Sequence, residues 1–226
     1  MMLANKNLTL TAVGLVAALS FASSNVQALS IDLLPNSDFS AGLGAWTTTY
    51  TGANAPGPTC CFGPFSVTGP GQVTGDFDGY AGGGIDFHES IVIGSGGYSA
   101  AELSFTYQGD GDYFGADRLL SVVIRDATNT IDEAVLFTTA VPSADFGTSH
   151  SIALTGLQGA LNSLTAGAHV FNFTAFIPDD FSGPGLMQLS GISFTADAVS
   201  VPEPTSLALL ALGLAGFGFG RAKRGN

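Results

Sequence analysis

Within residues 102–199, short runs in which apolar side chains recur at every second position are separated by glycine, proline, asparagine and aspartate. A period of two puts alternate residues on opposite faces of a strand, whereas an amphipathic helix needs a period near 3.6. Leu103, Phe105 and Tyr107 share one face, and Glu102, Ser104 and Thr106 the other. Leu120, Val122 and Ile124 alternate in the same way with Ser121, Val123 and Arg125. Phe171 and Phe173 oppose Val170, Asn172 and Thr174, and Ile192, Phe194, Ala196 and Ala198 oppose Ser193, Thr195, Asp197 and Val199. Further strands are expected over 46–51, 85–93, 133–139 and 149–154, with one helical turn over 157–164. Short runs separated by turn residues predict an all-β domain of two packed sheets, of β-sandwich or jelly-roll type. Seventeen Phe and a single Trp are enough for a sizeable core.

The two ends follow other rules. Pro202, Glu203 and Pro204 precede an uncharged stretch, Thr205 to Gly220, which ends at Arg221, Lys223 and Arg224. As a helix that stretch rises about 24 Å, somewhat short of a hydrocarbon core of about 30 Å, and flanking residues and local thinning cover the difference. The cationic residues beyond it orient its C-terminal side to the cytoplasm by the positive-inside rule. At the other end Lys6 precedes the apolar Leu8–Ala22, and Val26-Gln27-Ala28 supplies the small-x-small pattern of a signal-peptide cleavage site. Cleavage is expected after Ala28. The chain thus divides into a signal peptide (1–28), an exported domain (29–200) and a C-terminal segment (201–226) with one transmembrane helix over about 205–220 and a basic tail over 221–226.

The C-terminal segment resembles the sorting signal of the bacterial PEP-CTERM class, through Val201, Pro202, Glu203 and Pro204, the apolar span and the basic stop. The resemblance implies processing by signal peptidase and by an exosortase, a membrane transpeptidase. It also implies transient anchoring in the inner membrane, then display at the cell surface or in an extracellular matrix with exopolysaccharide as a partner. The same tail resembles the C-terminal domain of ice-binding proteins. Thr47, Thr48 and Thr49 form one isolated run without repetition, which argues against an ice-binding plane.

Between the two end segments the only cations are Arg118 and Arg125, against seventeen carboxylates (eighteen less Glu203), a formal charge of 2 − 17 = −15. Such a surface repels nucleic acid and anionic lipid, so neither is expected as a partner of the exported domain. His88, His150 and His169 lack the spacing of a zinc site, and no nucleophile elbow or phosphate loop occurs. The protein is expected not to be an enzyme. Cys60 and Cys61 are adjacent in a Pro/Gly-rich run; a strained vicinal disulfide, intermolecular pairing and free thiols all remain open.

The start of the exported domain, with Asn36, Phe39 and Trp46, resembles the opening of galactose-binding-like and carbohydrate-binding jelly rolls, and 192–201 resembles their last strand. In that class a structural calcium often joins first and last strands. The resemblance puts Asp197 at the late position, while Ser40 stands where a glutamate is usual and Asp38 lies nearby. Asp110, Asp112 and Asp117, and separately Asp76 and Asp78, form acidic glycine-rich segments that are candidate calcium ligands, although turn chemistry accounts for them equally. Tyr80 and Tyr113 are the candidate sugar platforms, and Trp46 is assigned to the core. These features point to a non-enzymatic surface or matrix protein with glycan contact. The alternatives are a purely structural surface protein and an extracellular polymer hydrolase.

Overall fold

The computed structural model describes residues 28–52, 64–77, 82–111, 118–176 and 185–199. Within them, Leu29–Val199 forms one compact unit. The described strands are β1 (Leu29–Asp32), β2 (Thr47–Gly52), β3 (Ser66–Gly69), β4 (Gln72–Phe77), β5 (Gly83–Ile93) and β6 (Tyr98–Gly111), followed by β7 (Arg118–Arg125), β8 (Asp132–Val141), β9 (Ser149–Leu154), β10 (Gly167–Phe176) and β11 (Gly185–Ala198). A 3-10 turn, Ser143–Asp145, and one short helix, α1 (Gln158–Ser163), complete them.

The strands form two antiparallel sheets, as the alternation predicts. One has the order β3-β4-β11-β6-β9, with β1 also paired to β11; the other has the order β2-β5-β10-β7-β8. Along one side of β11 lie β4, opposite Gly185–Ser190, and then β1, opposite Thr195–Ala198; β6 runs along the other side. Segments β1, β3 and β4 are additions to the strands expected from the sequence.

The core is the product of the alternation. Ile85, Phe87, Ile91, Leu120, Val122, Ile124, Phe171 and Phe173 face inward from the five-stranded sheet, and Leu103, Phe105, Met187, Leu189 and Phe194 from the other. Trp46, 4% exposed, stacks on Phe87 at 4.5 Å between ring centroids, and Phe65 covers the same ring at 4.4 Å. Phe105 meets Phe173 edge-on at 5.1 Å, which couples the two sheets. Such pairs contribute about 1 kcal/mol each beyond area burial.

One bulge keeps β11 in phase with this core. Met187 and Leu189 are buried before it, and Ile192, Phe194 and Ala196 after it, so the inward parity switches from odd to even. The switch falls where the register against β6 shifts between Ser190 and Ser193, at Gly191 with φ +59°. An extra residue flips the following side chains to the other face, and glycine adopts the required left-handed conformation without strain.

At the end of the sandwich where β1 begins, α1 braces β6. Leu161 is buried, and Asn162 receives a hydrogen bond from Tyr98 N on Oδ1 (2.7 Å) and donates from Nδ2 to Tyr98 O (2.9 Å). A side-chain amide thereby replaces a neighbouring strand at the start of β6.

Candidate functional site

The five-stranded sheet turns one face to the core and carries a polar cluster on the other. The register lines up Thr49, Asp86, Thr174, Ser121 and Thr138, one residue from each strand, in a rank across that face. Four gaps between neighbouring strands make it about 19 Å long. Alternation puts Thr47, His88, Asn172, Val123 and Val135 in the next rank.

Arg125, at the end of β7, organises the cluster. Its Nη1 donates to Asp86 Oδ2 at 2.6 Å and its Nε to Asp132 Oδ1 at 2.6 Å. Nη2 reaches Thr174 Oγ1 at 3.3 Å. The β7–β8 turn closes over the same spot. Asp126 accepts hydrogen bonds from the backbone N–H of Thr130 and Ile131 and from the Thr128 hydroxyl, which hold its carboxyl well below the usual range. Asn129, at φ +58°, is thereby turned back over β10, where its Oδ1 accepts from Asn172 Nδ2 at 3.2 Å.

Burial sharpens the electrostatics. Asp86 is 1% exposed and Asn172 fully buried, yet Asp86 Oδ1 and Asn172 Oδ1 have no hydrogen-bond partner among the described residues. Burial disfavours the Arg125 charge, but the hydrogen bonds to Asp132 and Asp86 outweigh it and raise its pKa further. His88 is pushed below its ordinary 6.5 by burial, against the pull of Asp86, so at neutral pH it is an uncharged imidazole. Its Nε2 lies 3.1 Å from Thr49 Oγ1. Thr49 and the Ser121–Thr138 hydroxyl pair (3.1 Å) stand exposed at the two sides of this buried centre. The arrangement pairs charges at its middle and offers hydroxyls at its margins.

The candidates read from sequence are distributed differently. Asp197 lies on β11 in register with Ser30 and Ala100 and is half-buried on the outward face of the six-stranded sheet. Asp38 is exposed, and its Oδ1 accepts from Ser40 N and Ser40 Oγ, which lower its pKa. Asn36 Nδ2 donates to Leu43 O at 3.1 Å and so shapes the turn before Trp46. Among the described residues no three His, Cys, Asp or Glu side chains converge. The backbone of Asp110 is in β6, opposite Leu186. Its side chain and that of Asp76, whose backbone is in β4, lie outside what the structure describes, as do Asp78, Asp112, Asp117, Tyr80, Tyr113, Cys60 and Cys61. Val26, the sorting residues Val201, Pro202, Glu203 and Pro204, and Arg221, Lys223 and Arg224 lie outside the described residues as well. No helix among the described residues is long and apolar enough to cross a membrane; the span expected over 205–220 is not among them.

The Asp86–Arg125–Asn172 cluster escaped the sequence reading. Its members are far apart in the chain, and the one visible signal was polar residues at outward positions of strands whose inward positions are aromatic.

Comparison with known proteins places the C-terminal segment. Residues 200–224 match the PEP-CTERM protein-sorting motif. The chain carries an exosortase sorting signal. The PEP-CTERM motif implies processing by an exosortase, and export with transient membrane anchoring before surface sorting. No curated protein matches this chain. Among solved structures, the enzymatically active domain of bacteriophage CBA120 tailspike protein 4 is 14% identical with a TM-score of 0.44, over 74% of this chain and 21% of that one. The chain thus spans about a fifth of that protein. The family 11 carbohydrate-binding module from Clostridium thermocellum, in complex with a mixed-linked tetrasaccharide, is 10% identical with a TM-score of 0.42, over 78% and 98% of the two chains. The K3 adhesin domain of Lys-gingipain from Porphyromonas gingivalis is 16% identical with a TM-score of 0.42, over 74% and 98%.

Proposed function

We propose that this chain is a non-enzymatic surface or matrix protein, sorted by exosortase, whose five-stranded sheet contacts neutral glycan in an exopolysaccharide. The rank Thr49–Asp86–Thr174–Ser121–Thr138 is the observation that supports this reading. An ordinary solvated sheet face has no reason to bury an aspartate and an asparagine, half-bury an arginine, and leave two acceptors unfilled. A polyhydroxy chain laid across the strands meets the exposed Thr49 and Thr138 hydroxyls at the margins of this buried centre, directly or through ordered water. Preorganised side chains lose little entropy on binding, which suits a weak multivalent contact with a repeating polymer. The acidic domain also disfavours a polyanionic partner, which makes the glycan neutral.

The test is capture of the purified exported domain on an array of glycans, host exopolysaccharide included, with calcium and with EDTA. Selective capture is expected, and Thr49→Ala and Thr138→Ala, at exposed positions of the rank, should each weaken it about fivefold without loss of fold by circular dichroism. Capture that persists unchanged in both variants would place the contact elsewhere. No capture under either condition would leave a structural display protein.

A further inference from the structure

We infer that the outward face of the six-stranded sheet is a second docking surface for a neutral polyhydroxy polymer, so that one domain bridges two polymer chains. The inference rests on the glycan reading above and adds a cross-linking role to it.

Strand register lays three ranks of uncharged side chains across this face. Ser66, Thr74, Gln188, Gln108 and Ser149 stand side by side on β3, β4, β11, β6 and β9. Gln72, Ser190, Thr106 and Ser151 form the next rank. Ser193, Ser104 and Ala153 form the third, beyond the Gly191 bulge. Their neighbours along the strands, Val73, Met187, Leu189, Phe105 and Tyr107, are buried, so all three ranks point away from the core. Five strands and three ranks cover about 19 by 14 Å.

Charge sets this area apart in so acidic a domain. No carboxylate falls in the three ranks; the first stand one rank further on, where Asp32 and Glu102 flank Thr195. A partner that covers the ranks displaces water from hydroxyls and amides alone, which cost far less to desolvate than carboxylates do. The side chains are also held in place by one another. Thr106 Oγ1 lies 3.0 Å from Ser151 Oγ, Ser149 Oγ donates to Gln108 Oε1 at 2.9 Å, and Thr68 Oγ1 lies 3.0 Å from Thr74 Oγ1. Each pair uses one hydroxyl hydrogen internally and keeps at least one further donor, besides lone pairs, for a partner. Donors and acceptors side by side on uncharged ground match a polyhydroxy chain, which offers both along its length. A second copy of the domain is the poorer occupant, because it would set one strongly acidic protein against another.

The two faces look in opposite directions, being the outer sides of sheets packed about 10 Å apart. A straight polymer chain lies on one of them only. Occupation of both joins two chains, and many such joints turn weak contacts into a network.

The probe for the test is the neutral fraction of host exopolysaccharide, fixed to beads in one batch and carrying a fluorophore in another. Beads are loaded with the exported domain, shown to be folded by its thermal melt and monomeric by light scattering. They are then washed and offered the fluorescent polymer. The parent domain should retain it about tenfold above beads without protein. Gln108→Ala with Gln188→Ala removes amides from the middle of the face, and the isosteric Gln188→Glu puts a charge there. Both variants should load onto the beads within about fivefold of the parent yet retain about tenfold less fluorescent polymer. Thr49→Ala with Thr138→Ala should do the same from the other face. A parent that loads but retains no fluorescent polymer, or six-stranded-face variants that retain it as the parent does, would overturn bridging and leave the glycan contact standing. No loading by any of these proteins would overturn both.

Discussion

Glu89 stands on the inward face of β5, between Phe87 and Ile91, where alternation calls for an apolar side chain. It is 6% exposed and its Oε2 has no hydrogen-bond partner among the described residues. Burial, and then the Asp32 charge, raise its pKa above the ordinary 4.5. A carboxyl with a raised folded pKa contributes stability that is fully present below about 4.5 and is lost as pH rises through the folded value. Glu89→Gln should therefore stabilise the domain by about 1 kcal/mol at pH 7, with the gain vanishing near pH 4. Thermal melts of both proteins across that range check it, and a gain that is constant with pH would show that charge is not the cause. His169 is the opposite kind of buried polar residue. Its Nε2 donates to Thr165 O at 2.7 Å and its Nδ1 lies 2.5 Å from Glu133 Oε2, so both ring nitrogens are satisfied.

At the level of the element, long strands with aromatic inward positions were legible in the sequence, because their alternation runs for six residues or more. The β3–β4 hairpin was not. It offers only Val67 and Val73 as an apolar pair around the Pro70-Gly71 turn, with Gly71 at φ +66°, and its place is set by β11 alongside it. β1 escaped for the same reason: four residues are too few to establish a period, and its partner lies more than 160 residues away, at Thr195–Ala198. The polar cluster was hidden because register, which no single strand encodes, brings Asp86, Arg125 and Asn172 together. The bulge at Gly191 makes a direct test of element design. A Cβ there meets nothing within 4 Å, so Gly191→Ala adds backbone strain without a clash. A loss of about 1 kcal/mol in urea unfolding is expected. A loss several times larger would mean that the bulge does more than reverse parity.

For the whole molecule, β11 decides whether a sandwich exists at all. Without it β1 loses its partner, β4 keeps only β3 and β6 keeps only β9, so the core is open on one side. A chain from Leu29 stopped after Pro184 should show no cooperative thermal transition and should bind a hydrophobic dye, whereas one stopped after Ser200 should melt sharply. A sharp transition in the shorter chain would place the folding unit elsewhere. The same topology gathers strand ends. Gly52, Phe77, Gly111 and Phe176 close β2, β4, β6 and β10 at one end of the sandwich, and Leu29 pairs with Ala198 at the other.

The central place of β11 also sets a timetable. A chain exported from its N-terminus delivers this strand after the ten others, so most of the domain waits outside the membrane with its central seam unfilled. Pairing Leu29 with Ala198 then closes a loop of nearly the entire domain, which is slow because the entropy of closure precedes the reward of contact. Translocation thus meets an unfolded thread up to the last turn of synthesis. The transient anchoring that the PEP-CTERM motif implies would keep that late-folding thread at the membrane until its final strand is in place.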